Sequence, residues 1–188
     1  MSRLSVSLYE TERREKRSAQ SPASTVAAVI RPARPSDVPA LLGLVRELAA
    51  YEREPDAAVA TEDQLRVVLF GPSPAVYCDV AEIDGEVVGM AIWFLNFSTW
   101  LGRHGIYLED LYVTPAQRGG GHGKALLAHL ARRCVDAGYG RLEWSVLDWN
   151  TPAIDFYVGL GAVPMDEWTT HRVSGAALSA LAGQASGS

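Results

Sequence analysis

Two hydrophobic periods alternate along this chain, and each change of period marks an element. Residues 1–24 follow neither: the stretch is polar, mixed in charge and rich in serine, and reads as a disordered extension. From Thr25 the texture changes. Val26 to Ile30 is a short apolar run that ends at Arg31-Pro32 and suits a buried strand. Ser36 or Asp37 can cap a helix whose apolar residues Leu41, Leu42, Leu44, Val45 and Leu48 fall at helical spacing and reach Tyr51. Thr61, with Asp63 and Gln64, opens a second, shorter helix that ends near Gly71-Pro72. Val76 to Ile83 and Glu86 to Asn96 flank Asp84-Gly85, a dipeptide suited to a tight hairpin turn. Ile106 to Val113 predicts another strand, followed by Pro115, a glycine cluster and a helix from about Gly121 to Ala137. Arg141 to Leu147 reads as a strand, Thr151 to Leu160 as a helix, and Val163 to Val173 as one or two final strands. The resulting order, β-α-α-β-β-β-α-β-α-β, predicts an α/β chain of the α+β kind, with helices packed on one mixed sheet and a single domain spanning 25–188.

Composition narrows the choice of function. Apolar residues make up 48% of the 188 and charged residues 21%, with no unbroken apolar tract long enough for a membrane span. The net charge of −5 is uneven. Residues 1–25 hold five of the 17 basic and three of the 22 acidic side chains, leaving 12 against 19 in the body, a net of −7. A body of that sign repels phosphate backbones and favours cations, so no nucleic-acid partner is expected. Cys78 and Cys134 form no C-x-x-C pair and suit a reducing cytoplasm, and the histidines lack ligand spacing, so no metal is expected.

The chemistry centres on Arg118-Gly119-Gly120-Gly121-His122-Gly123-Lys124, which lies between a strand and an amphipathic helix. Glycines let successive backbone N–H groups turn toward one point, and the helix start adds partial positive charge there, so the loop suits a diphosphate. Arg118 and Lys124 can add charge-assisted contacts. Spacing excludes a Walker A loop, which would need glycine at 118 and Ser or Thr at 125, where Arg118 and Ala125 stand. A dinucleotide G-x-G-x-x-G fails from either possible start. Arg118-x-x-Gly121-x-Gly123 does match R/Q-x-x-G-x-G/A, the signature of the GNAT superfamily.

The chain resembles that superfamily, and within it the spermidine/spermine (diamine) N-acetyltransferases and their thialysine-acetylating relatives. Besides the loop, Ile30-Arg31-Pro32-Ala33, Arg46 to Glu52, Tyr107-Leu108-Glu109-Asp110-Leu111-Tyr112-Val113 and Trp149-Asn150-Thr151-Pro152-Ala153-Ile154-Asp155-Phe156-Tyr157 carry the likeness. The resemblance implies a mostly antiparallel twisted sheet of about six to seven strands, acetyl-CoA as acyl donor and a homodimer. It also implies residue roles. Gly119 to Lys124, including Gly120 and His122, would bind the CoA diphosphate, Leu111, Tyr112 and Val113 the pantetheine arm, and Asn150, Thr151, Pro152 and Ala153 the rest of CoA. Tyr157 would be the general acid, Glu109 would help deprotonate the amine, and Tyr51, Glu52 and Asp110 would lie at the polyamine site. Gly120 and His122 depart from the apolar residues common in the relatives.

The residue types fit such chemistry. An alkylamine with a pKa of about 10.4 offers its lone pair in only roughly one molecule in a few thousand at pH 7, so a base such as Glu109 is needed. The departing thiolate then needs an acid, and a tyrosine serves. Taken without the resemblance, Tyr157 reads first as a packing aromatic beside Phe156 and Trp149, and one carboxylate of Glu109-Asp110 as an ordinary surface charge, because neighbouring strand residues face opposite sides. Neither cysteine sits where an acyl-enzyme nucleophile would, so direct transfer to a small cationic amine is expected. An aminoglycoside or peptide N-terminus as acceptor, or a non-catalytic acyl-CoA sensor on the same fold, remain as alternatives.

Overall fold

The computed structural model describes residues 27–185. The expected extension over residues 1–24 lies outside them. The described chain divides into two compact units that meet in sequence between Ser145 and Val146.

The first unit is built on a five-stranded sheet in the order β1-β2-β3-β4-β5, with β1 Val29–Pro32, β2 Val76–Ile83, β3 Glu86–Ser98, β4 Arg103–Val113 and β5 Leu142–Trp144. The first four strands pair antiparallel and β5 joins β4 in parallel, so the sheet is mixed and mostly antiparallel as expected. The β2–β3 hairpin turns at Asp84 and Gly85, both with positive φ (50° and 84°), the backbone that Asp-Gly favours. Helix α1, Val38–Tyr51, and helix α2, Glu62–Phe70, precede this hairpin, and α3, His122–Asp136, follows β4. Thr61 caps α2 through the expected box: its hydroxyl accepts from Gln64 N at 3.3 Å, and Gln64 Oε1 accepts from Thr61 N at 2.9 Å.

Cross-strand partners share a face of a sheet, which sorts the core into two layers. On one face Cys78, Val80, Met90, Ile92 and Tyr112 pack with Leu41 and Leu44 of α1 and Leu69 of α2. The other face carries Asp79 and Trp93 beneath α3. Asp79 is only 1% exposed. Its carboxylate accepts from the Trp93 indole at 2.8 Å and from Arg133 of α3 at 3.3 Å, and His129 Nε2 stands 3.4 Å away. Arg133 also lies over the Trp93 ring, 5.0 Å from its centroid. A buried charge with three partners ties α3, and the glycine loop at its start, to the sheet.

The β3–β4 ladder has a bulge that local periodicity does not reveal. Trp93 pairs with Leu108 and Ile92 with Asp110, leaving Glu109 as the extra residue. Leu108 therefore shares Trp93's face, toward α3, whereas Asp110 and Tyr112 share that of Ile92 and Met90, toward α1.

The second unit begins at Val146 and holds α4, Thr151–Val158, and α5, Gly175–Ala182. Two expectations are corrected here. Val163 to Val173 forms no strand, so the sheet has five strands among the described residues where about six to seven were expected. Pro164 offers no N–H to a ladder, Asp166 and Glu167 interrupt the apolar run, and Trp168 N bonds locally to Met165 O at 3.1 Å. Helix α5 was not expected; its alanines and leucines are strong helix formers. Smaller differences concern ends: β1 starts at Val29 and runs through Pro32, and β5 covers only three of the seven residues from 141 to 147.

Replacing Asp79 with alanine should lower unfolding stability by about 2 kcal/mol or more, because the indole N–H and Arg133 lose a buried acceptor. Asp79→Asn, which keeps an oxygen for Trp93, should cost less. Urea denaturation of the two variants checks the ranking.

Candidate active site

Helix α1 ends at Tyr51, with Glu52 as its C-cap residue, and both lie on the side of the sheet reached by Asp110. Asp110 is half-buried, and its carboxyl is pushed up to about 6, first by burial and then by the charges of Glu109 and Glu52. Burial also raises Glu52. Three carboxylates near one another, two of them partly desolvated, make a place where a cation gains more than it would at an open surface. Glu109, on the bulge, is exposed.

Tyr112 is buried; burial, followed by the Glu47 charge, holds its phenol above the usual tyrosine range, while Arg118 acts the other way. The Arg118 guanidinium lies over both Tyr51 and Tyr112, 5.0 and 5.2 Å from their ring centroids, and its Nε donates to Val113 O at 3.0 Å. Arg118 thus joins the head of the glycine loop to the end of α1. Glu47 was not singled out by the sequence. Its place one helical turn before Tyr51 was the available signal.

Two backbone features bear on an acyl donor. Gly119 and Gly121 both have φ of 83°, a left-handed conformation that other residues adopt at a cost, and Gly121 is the N-cap of α3 with no side chain over it. The opening amides of α3 have no intrahelical acceptor. Alternating handedness next to a helix start makes a concave set of N–H donors suited to a diphosphate. Gly120 is required for a different reason: a Cβ there would stand 2.6 Å from Nε2 of the buried His122 imidazole. The second feature is an open edge. β5 pairs with β4 only from Ile106 to Leu108, so the β5 side of Glu109 to Val113 has no strand partner among the described residues. An extended arm with its own amides fits such an edge.

The remaining expected residues belong to the second unit. Asn150, itself buried, caps α4: its side-chain oxygen accepts from Ala153 N at 3.4 Å. Thr151 and Pro152 form the first two helical positions, where proline is well tolerated. Tyr157 lies on the same helix, its ring 5.3 Å from that of Phe156. The expected site residues therefore fall in two groups, one in each unit. Cys78 is held far above the usual thiol range by burial, and Cys134 is also raised, in line with two unreactive thiols.

Residues 42–162 match the model of the Acetyltransferase (GNAT) family. Among curated relatives, thialysine N-epsilon-acetyltransferase of Bos taurus is 41% identical over 167 residues, covering 83% of this chain and 98% of that protein. An L-ornithine N5-acetyltransferase of Arabidopsis thaliana is 32% identical, covering 81% of this chain and 86% of that one. Among solved structures, an integron cassette protein from the mobile metagenome of V. cholerae superimposes with a TM-score of 0.71 at 28% identity, covering 84% of this chain and 98% of that one.

Asp110 gives a pH test. Its folded-state value lies above the unfolded value of 3.8, so folding takes up a proton in between, and stability falls as pH rises from about 4 to about 6. Asp110→Asn should remove that fall and leave the protein more stable at pH 7.5 by about 1 to 2 kcal/mol. Chemical denaturation of both proteins at pH 4.5 and 7.5 reads the difference.

Proposed function

This chain belongs to the GNAT acetyltransferase family and is an acetyl-CoA-dependent N-acetyltransferase, and from that premise we propose that its acceptor is a small diamine, polyamine or lysine analogue. The observation that supports the acceptor class most directly is the carboxylate group beside Tyr51, made of the partly buried Glu52 and Asp110 with the exposed Glu109. A dication suits it, with one amine held as a cation while the other reacts. The names of similar proteins point the same way: thialysine, ornithine and spermidine/spermine are all small molecules with a primary amine and further charge.

Acetyl-CoA supplies an activated acetyl thioester. The residues that would hold it are Gly119 to Lys124 for the diphosphate, with Leu111 to Val113 offering backbone N–H and C=O groups to the arm, and Asn150 to Ala153 contributing further contacts. Glu109, exposed on its bulge, takes the proton that the substrate ammonium must lose before its nitrogen can attack. Tyr157 would give a proton to the sulfur as it leaves, the role that the family resemblance implies for it. No side chain needs to carry the acetyl group, which suits a chain whose two cysteines are buried. Residues 25–188 act as one acetyltransferase domain in this reading, in a homodimer, as the family resemblance implies, and in the reducing cytoplasm that its two lone cysteines suit.

Incubating the pure protein with acetyl-CoA and a panel of spermidine, thialysine, ornithine, an aminoglycoside and a peptide N-terminus, while following thiol release, tests the acceptor class. Diamines and lysine analogues should exceed the hydrolysis background; an aminoglycoside or peptide that outruns them would replace this reading. Tyr157→Phe should lower kcat by about 100-fold with little change in acetyl-CoA affinity. An equal loss in both would speak against the acid role.

A further inference from the structure

Arg118 opens the glycine loop, yet its guanidinium is engaged elsewhere. It lies over the rings of Tyr51 and Tyr112, and its Nε proton goes to Val113 O. The neighbours of that charge are thus two rings and a carbonyl. They belong to α1 and β4, and α1 ends in Tyr51 and Glu52. We infer that Arg118 is a positioning residue for the acceptor amine: it braces the last turn of α1 against β4 and so holds Tyr51 and Glu52 in place, leaving the diphosphate to the backbone of the loop.

Three features support this. Tyr51 is 37% exposed at the very end of its helix, where terminal turns open most readily, so a tether there has an effect that a tether at mid-helix would not. Glu52 follows it directly, and Arg53 in a left-handed conformation (φ 68°) turns the chain away at once, with Arg53 N bonding Ala50 O at 3.2 Å and Glu54 N bonding Ala49 O at 2.9 Å, so the backbone of the last turn is closed and what Arg118 adds is a hold on the Tyr51 side chain. The planar guanidinium can stack on rings while donating in its own plane, which lysine cannot reproduce. The loop, for its part, keeps its donor character without Arg118, because Gly119, Gly121 and the start of α3 provide it from the backbone.

The inference rests on the acceptor reading given above, with the amine recognised beside Tyr51 and Glu52. Its test compares wild type, Arg118→Lys and Arg118→Met, measuring KM and kcat for spermidine and thialysine and, separately, the acetyl-CoA Kd by calorimetry. Arg118→Met should raise the amine KM about tenfold while the acetyl-CoA Kd changes less than about threefold. Arg118→Lys should recover only part of the loss, since its ammonium can sit over a ring but cannot also hold Val113 O. A tenfold weaker acetyl-CoA Kd with the amine KM unchanged, or equal weakening of both, would overturn the inference. Should Arg118→Met fail to fold, Tyr51→Leu and the double variant with Arg118→Lys keep the question open to measurement. If Arg118 works through Tyr51, the double variant raises the amine KM no further than Tyr51→Leu alone; multiplying effects would overturn the inference. A wild-type protein inactive on every amine would overturn the acceptor reading itself, whereas wild-type activity with the wrong KM and Kd split would overturn only the role of Arg118.

Discussion

Between Trp93–Leu108 and Ile92–Asp110 the ladder of β3 and β4 advances two residues on one strand for one on the other. A strand without that extra residue would keep Ile106, Leu108, Asp110 and Tyr112 on a single face. Asp110 would then be driven under α3, into the layer where Trp93 and Asp79 already hold a buried polar cluster. With Glu109 taken up in the bulge, the apolar residues before it face α3 and the polar pair after it faces α1. The close approach of Asp110 to Glu52, the packing of Tyr112 in the α1 layer and its tie to Arg118 all follow from this one change of register. Bulges commonly re-aim side chains next to active sites, and the mechanism here is a switch of layers.

The same strand shows how the site is left accessible. β5 accompanies β4 only as far as Leu108, at the residue before the bulge, so a free backbone edge begins where the acidic residues begin. An edge of unpaired N–H and C=O groups is a liability in a sheet and an asset in a binding site. The carboxylates add a second cost. Asp110 held near 6 by burial and by like charges destabilises the fold at neutral pH, and a bound cation would offset that cost. Site and stability are set against each other at this residue, while Asp79, more deeply buried, is fully partnered and serves the fold.

Much of this was legible along the chain because it depends on local geometry. The Asp84-Gly85 hairpin, the Thr61 capping box and the start of α3 at the glycine loop each follow from residues within a few positions of one another, and each forms close to where expected. Motif spacing was also local, and Arg118-x-x-Gly121-x-Gly123 was enough to separate this loop from other phosphate loops. The final strands failed for the converse reason. Val163 to Val173 has the composition of a strand, but a strand exists only where a neighbour offers a ladder, and composition does not report the neighbour.

The sequence by itself determined the elements up to the last helix before the chain's end segment, the family and the residue types from which the site is built, because periodicity, capping and motif spacing act over short stretches of chain. Only the tertiary structure decided which way Asp110 faces, that Glu109 stands on a bulge, and that Arg118 is spent on Tyr51, Tyr112 and Val113. Those outcomes turn on register between strands and on contacts between α1 and β4, which lie about sixty positions apart. Hydrogen-bond register over such separations is settled by the packing of both sheet faces at once, and no local pattern encodes it.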